Sequence, residues 1–199
     1  MAKWIWIGVF VLVASVAAWM FTPNPANDTA SNTQNQMGNL VGGPFSLVNQ
    51  DGERVTEKDF LSSYFLVYFG YSYCPDVCPV DLQSMTAALD LLNEETLDKV
   101  QPVFITIDPE RDTVEVMKAY VSLFHPKLIG LTGTPEEITA ATRAYRVYAR
   151  KVETESDSEY LMDHSAITFL MSPEGKYIAH FSTGFKPEAM AQRLEDVVR

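Results

Sequence analysis

The feature that most constrains this chain is the apolar run Phe65-Leu66-Val67-Tyr68-Phe69-Gly70, followed almost at once by Tyr73-Cys74-Pro75-Asp76-Val77-Cys78-Pro79. The run reads as a buried central strand. Beyond it two thiols stand four positions apart in a turn, and Pro79 opens the next helix, an arrangement that holds sulfur chemistry at the edge of a sheet. These are the only two cysteines among 199 residues.

The remaining pattern predicts an α/β layout. Phe45–Val48 and Arg54–Thr56, with Asn49-Gln50-Asp51-Gly52 between them, form a short hairpin. Pro79–Leu92 has apolar residues at Val80, Leu82, Met85, Ala88, Leu89 and Leu92, a helical stripe. Val103–Ile107 is a second buried strand, halted by Asp108-Pro109. Thr113–Phe124, with Val116, Met117, Tyr120 and Val121 inward, is a helix; Glu136–Tyr145 is another, after Leu128-Ile129-Gly130-Leu131. Ala166–Met171 and Tyr177–Phe181 flank Ser172-Pro173-Glu174-Gly175-Lys176 as a second hairpin, and Glu188–Val198 is a closing amphipathic helix. Strand, helix, strand, helix, then hairpin and helix, with a dithiol after the first central strand, resembles the thioredoxin plan, a central mixed sheet flanked by helices.

Ahead of this domain, residues 4–21 carry no charge and contain Trp4, Trp6 and Trp19. As a helix they extend about 27 Å, close to the hydrocarbon thickness of a bilayer. Residues 1–21 are therefore expected to be a transmembrane anchor, with Lys3 keeping the N-terminus cytoplasmic and the remainder exported. A cleaved signal peptide is the competing reading, because Ser15-Val16-Ala17 suits cleavage, but the apolar stretch continues through Trp19-Met20-Phe21. Residues 22–39 are rich in Pro, Asn, Ala, Thr, Ser and Gln and read as a flexible tether with a reach of about 25 Å. Residues 40–199 suffice for one domain. Beyond the anchor, 14 Lys and Arg stand against 26 Asp and Glu, a formal charge of −12, so nucleic acid is a poor partner.

A lone cysteine pair in an exported chain is ordinarily a structural disulfide. Here the loop closed would be very short and would add little stability, and the turn exposes the thiols, so redox or metal chemistry is the better reading. The spacing is Cys-x-x-x-Cys, wider than the Cys-x-x-Cys of thioredoxin-type reductases. In a helix the two sulfurs share a face; in a loop they converge on one soft ion, Cu(I) or Zn(II). A neutral imidazole would complete a trigonal site. Of three histidines, His125 reads as an exposed helix-end residue and His180 as a surface strand residue. His164 lies in a loop just before an apolar strand, where Asp163 or a backbone carbonyl could orient its ring, and is the candidate ligand. Asp76 either hydrogen-bonds backbone amides and fixes the bite of the two sulfurs or is a simple turn or cap residue; Pro75 and Pro79 stiffen the loop; Asp108–Asp112 either shape the edge of the site or cap the following helix through Asp112 or Thr113. Tyr71 and Tyr73 shield the metal, dock a partner or pack in the core.

Four segments in order carry a family resemblance: Gly70–Pro79, Ile105–Thr113, Gly130-Leu131-Thr132-Gly133 and Asp163-His164-Ser165. The chain resembles the Sco/SenC copper-binding proteins of cytochrome oxidase assembly across nearly the whole domain. The resemblance implies a thioredoxin fold and one copper, Cu(I) or Cu(II), held by Cys74, Cys78 and His164. It further implies delivery of that copper to the binuclear copper centre of cytochrome c oxidase subunit II. The expected setting is the inner (cytoplasmic) membrane, crossed once, with the domain on the periplasmic or extracytoplasmic side. Because a disulfide offers a metal no thiolate, a thioredoxin-type reductant must keep Cys74 and Cys78 reduced, and another copper chaperone is a candidate donor. The enzyme alternative is a thiol:disulfide oxidoreductase that uses the same two cysteines to reduce the target. A peroxidase of peroxiredoxin type is disfavoured, because Tyr71-Ser72-Tyr73-Cys74 lacks the Thr-x-x-Cys setting.

Overall fold

The structure, a computed structural model, describes residues 41–153 and 160–198. The anchor and tether expected over residues 1–39 lie outside the described residues; among those described, no helix is long and apolar enough to cross a membrane.

A seven-stranded mixed sheet organises the domain. In chain order the strands are β1 (Ser46–Asn49), β2 (Arg54–Thr56), β3 (Tyr64–Gly70), β4 (Val100–Thr106), β5 (Ile129–Thr132), β8 (Ile167–Met171) and β9 (Tyr177–Ser182), arranged β2-β1-β5-β4-β3-β8-β9. The strands β3, β4 and β5 run parallel, while β1 joins β5, and β8 joins β3, antiparallel. The helices are α1 (Val77–Asp90), α2 (Glu94–Asp98), α3 (Val114–Val121), α4 (Pro135–Ala144) and α5 (Pro187–Val197). This is the mixed-sheet α/β architecture of the thioredoxin type.

The central strand explains why both faces must be covered. Its side chains alternate, and nearly all are buried. Phe69 meets Tyr145, just past α4, at 5.3 Å and Phe169 at 6.5 Å, while Phe65 packs on Phe60. On the opposite face Tyr68 stacks on Phe104, and Gly70 lies beneath Cys78 of α1. Strand β3 therefore ends directly under the first turn of α1.

Several boundaries differ from those expected. Helix α1 starts at Val77, two residues before Pro79, which sits at the third helical position where its missing N–H belongs to the unpaired first turn. Strand β4 starts at Val100 and runs through Pro102. Val116 is exposed rather than inward; Met117 and Val121 carry the buried face of α3. A second, two-stranded sheet escaped the sequence pattern: β6 (Ala149–Glu153) pairs antiparallel with β7 (Tyr160–His164), aligning Ala149 with His164. His164 thus ends a strand instead of lying in a loop.

Candidate metal centre

The two cysteines occupy unlike positions. Cys74 precedes α1 and is half-buried; Cys78 is the second residue of the helix and is fully buried; both are free thiols. Asp76 occupies the cap position of α1 but supplies no side-chain cap, so the expected Asp76 hydrogen bonds to backbone are absent. The sulfur of Cys74 takes that place, accepting the N–H of Cys78 at 3.5 Å. A helix N-terminus directed at a sulfur favours the thiolate. Donation from the Cys78 thiol, then the amides of Asp76 and Cys78, outweigh burial and hold Cys74 down at about 5. The Cys78 thiol is pushed up, by its donation to Cys74 and by burial. One proton is in effect shared by the pair and sits on the buried sulfur.

Room for Cys78 comes from Gly70, since a Cβ there would stand 2.8 Å from the Cys78 sulfur. The start of α1 is tied down by Asp81, which is buried and accepts from Tyr68 Oη at 3.3 Å, Thr183 Oγ1 at 3.1 Å and the amide of Gly184 at 3.2 Å. The loop before Cys74 is tied down by Asp112, fully buried, which accepts the Ser72 amide at 3.0 Å, the Ser72 hydroxyl, and Thr106 Oγ1 at 2.5 Å. Its burial raises the Asp112 carboxyl above the ordinary range despite these donors. Thr113, not Asp112, caps α3. The segment 108–113 therefore does both jobs that the sequence left open.

The hairpin β6–β7 brings in the imidazole. His164 Nε2 lies 3.6 Å from Cys78 Sγ, and Nδ1 lies 3.4 Å from the carbonyl oxygen of Met162. With Nδ1–H donating to that carbonyl, Nε2 is left with its lone pair towards the thiol. Two ligands about 2.0 and 2.3 Å from one ion, at angles between tetrahedral and trigonal, stand about 3.5–3.7 Å apart, so this spacing fits a shared metal. Among the described residues no three His, Cys, Asp or Glu side chains are set to hold an ion all at once. Closing on a metal therefore needs a side-chain adjustment, for which half-buried Cys74 has the freedom. Tyr71 is buried and meets the His164 ring edge-on at 5.9 Å, whereas Tyr73 is 55% exposed. A cleft of about 500 Å³ opens here, lined by Tyr71, Cys74, Val77, Leu161, Met162 and His164 among others. A hollow of about 450 Å³ between the hairpin and α4 contains neither thiol nor imidazole.

The other two histidines stay apart. His180 is exposed, as expected, and pairs with Tyr177 Oη at 2.6 Å. His125 is buried rather than exposed: its Nδ1 accepts the Lys127 amide at 3.1 Å, its own amide donates to Thr86 Oγ1 at 3.2 Å, and burial lowers its pKa. Tyr68, Asp81 and the buried role of Asp112 were missed. The available signal was Asp81 itself, a carboxylate three residues after Cys78 on the same helix face as Leu82 and Met85.

Taken together, the fold and this site define a thioredoxin-type domain carrying a dithiol and an imidazole at one end of its central strand. The chain belongs to the SCO1/SenC family, whose profile matches residues 33–199. It is 48% identical over 161 residues to the human mitochondrial SCO1 homolog, covering 80% of this chain and 54% of that protein. It is 47% identical over 159 residues to the mitochondrial SCO1 homolog 1 of Arabidopsis thaliana, covering 80% of this chain and 47% of that one. The chain thus spans about half the length of these relatives. The solved structure of Bradyrhizobium japonicum ScoI with copper bound matches with a TM-score of 0.73 and 44% identity, over 78% of this chain and 98% of that one.

Proposed function

We propose that this protein is a copper chaperone in which Cys74, Cys78 and His164 hold one copper ion. The observation that carries the reading is the approach of His164 Nε2, at the end of the two-stranded sheet, to within 3.6 Å of Cys78 Sγ in the first turn of α1, with Cys74 beside them. Dithiol chemistry alone has no use for an imidazole brought there. Two soft sulfurs and one nitrogen suit Cu(I), and the same donors accept Cu(II). Relatives of the same family with copper bound support the choice of metal. Copper is cargo here. Cys74, already a thiolate, is the first donor to meet an ion; Cys78 then loses its proton, and His164 closes the set. The half-exposed side of the site lets an acceptor's ligands replace these one at a time, without covalent chemistry. The acceptor in this reading is the binuclear copper centre of cytochrome c oxidase subunit II. Residues 1–21 anchor the chain in the inner membrane, residues 22–39 tether the domain on the extracytoplasmic side, a thioredoxin-type reductant keeps the thiols reduced, and another chaperone supplies copper.

A second reading rests on the asymmetry of the pair. A half-buried thiolate at Cys74 backed by a buried thiol at Cys78 is also the arrangement of an attacking and a resolving cysteine, as in a thiol:disulfide oxidoreductase. Anaerobic titration of the reduced protein with Cu(I) against a competing chelator tests the first reading. The expected result is one tightly held copper, lost when the thiols are oxidised; a stoichiometry near zero in the reduced protein refutes it.

A further inference from the structure

The hairpin that carries His164 is not hydrogen-bonded into the seven-stranded sheet. Apart from the two-residue link from His164 into β8, which pairs with β3, the imidazole is set relative to the cysteines by side-chain contact, and Arg111 makes several of these contacts. Arg111, in the turn after β4, lies over three tyrosines: its guanidinium carbon is 3.7 Å from the ring centre of Tyr160, 4.7 Å from Tyr73 and 5.7 Å from Tyr71. Its Nε donates to Asp108 Oδ2 at 2.5 Å and its Nη1 to the carbonyl of Tyr160 at 3.0 Å, while Tyr160 Oη donates to Asp108 Oδ1 at 2.7 Å. Arg111 thereby joins the loop that leads into Cys74 to the strand that ends in His164. Tyr160, Met162 and His164 share the inward side of β7, alternating with exposed Leu161 and Asp163. Tyr71, under the same guanidinium, is the ring against which His164 stands edge-on. Among the described residues, a further charged tie across this seam, Lys151 to Glu110 at 3.1 Å, is solvent-exposed and holds little.

We propose that Arg111 is a positioning residue that clasps the hairpin to the cysteine loop, and so sets where His164 stands relative to Cys78 without touching the metal. This rests on the metal-site reading above. The planar guanidinium is what the place demands: its edge donates to Asp108 and Tyr160 while its faces cover aromatic rings, a pairing that a lysine ammonium lacks. Partners that orient a metal-binding histidine typically change metal affinity by about ten- to a hundredfold, and an indirect clasp belongs at the lower end.

The test is a double-mutant cycle on the full chain: wild type, Arg111→Met, His164→Ala and the double variant, each reduced and titrated with copper alone, with thermal melting and the thiolate-to-Cu(II) absorption recorded alongside. Arg111→Met is expected to weaken copper binding about tenfold and to shift that absorption. In the His164→Ala background it is expected to add less than twofold, because the group it positions is gone. A general loss of stability would instead weaken binding equally in both backgrounds, and that result overturns the proposal. So does an Arg111→Met affinity within twofold of wild type. Should Arg111→Met fail to fold, Arg111→Lys, which keeps the charge and the stem, replaces it in the same cycle, with a loss of about threefold expected. Wild-type protein that binds no copper overturns the metal-site reading and this inference together; wild-type binding with an unaffected Arg111 variant overturns this inference alone.

Discussion

Replacing Gly70 by alanine places one methyl group where the site has no room. The added Cβ would stand 2.8 Å from Cys78 Sγ, 3.0 Å from Phe104 Cε2 and 3.1 Å from Tyr68 Cε1. Phe104 and Tyr68 are fully buried on neighbouring positions of the sheet and stack on each other, so neither can retreat cheaply. Cys78 is in the first turn of α1, which Asp81 pins through three hydrogen bonds. Overfilling a packed core of this kind costs about 1–3 kcal/mol. For a domain of this size that lowers the melting temperature by roughly 3–10 °C. Because the closest clash is with the sulfur, the relief should come from lifting Cys78, so copper affinity falls and Cys78 gains reactivity towards alkylating agents. Thermal melting of the reduced protein, mass-resolved alkylation and chelator competition read the three effects. A Gly70→Ala protein that melts within 1 °C of wild type, and whose Cys78 stays protected, would refute the close packing of Cys78 over β3.

Asp112→Ala strips the acceptor from the half-buried Ser72 amide and hydroxyl and from the buried Thr106 hydroxyl, and is expected to cost about 2–4 kcal/mol in urea unfolding; a loss under about 0.5 kcal/mol would show the loop to be held otherwise. The reactivity of Cys74 follows its depressed pKa: the rate of alkylation should be nearly flat from pH 6 to 8 and decline as pH falls through about 5, where the thiolate is protonated. An ordinary thiol, with a pKa of about 8.5, would instead gain close to tenfold per unit in the neutral range, and such a rise would rule out thiolate stabilisation at the helix start.

The parts of the fold that sequence reveals are those governed by local pattern. The unbroken apolar run of β3, the stripe on α1 and the turn residues of both sheet hairpins each report their own burial, and the segment from Gly70 to Pro79 announces a dithiol by spacing alone. What stays hidden depends on partners far along the chain. The strands β6 and β7 offer Arg150, Lys151, Glu153 and Asp163 to solvent and bury none of their described residues fully, so their alternation carries little apolar contrast. That is why His164 reads as a loop residue, although the sequence does single it out among the three histidines as the candidate ligand. His125 is buried because its backbone reaches Thr86, 39 residues away, and because a nearby amide satisfies its ring nitrogen. Asp112 reads as a helix cap because Thr113, the actual cap, is its neighbour; the donors that justify burying it lie at Ser72 and Thr106, on other strands and loops. Arg111 shows the same difficulty, since its three tyrosines span residues 71 to 160.

The most direct measurement is copper affinity and dithiol exchange determined side by side on His164→Ala. Removal of the one nitrogen donor should weaken copper binding at least tenfold, about 1.4 kcal/mol or more, while Cys74 and Cys78 continue to exchange with disulfides, because attack by the Cys74 thiolate needs no imidazole. In cells carrying the variant, cytochrome oxidase activity should fall with the copper affinity. An unchanged affinity, with oxidase assembly intact, would contradict His164 as a ligand and leave the dithiol, acting as a reductant, as the function of this site.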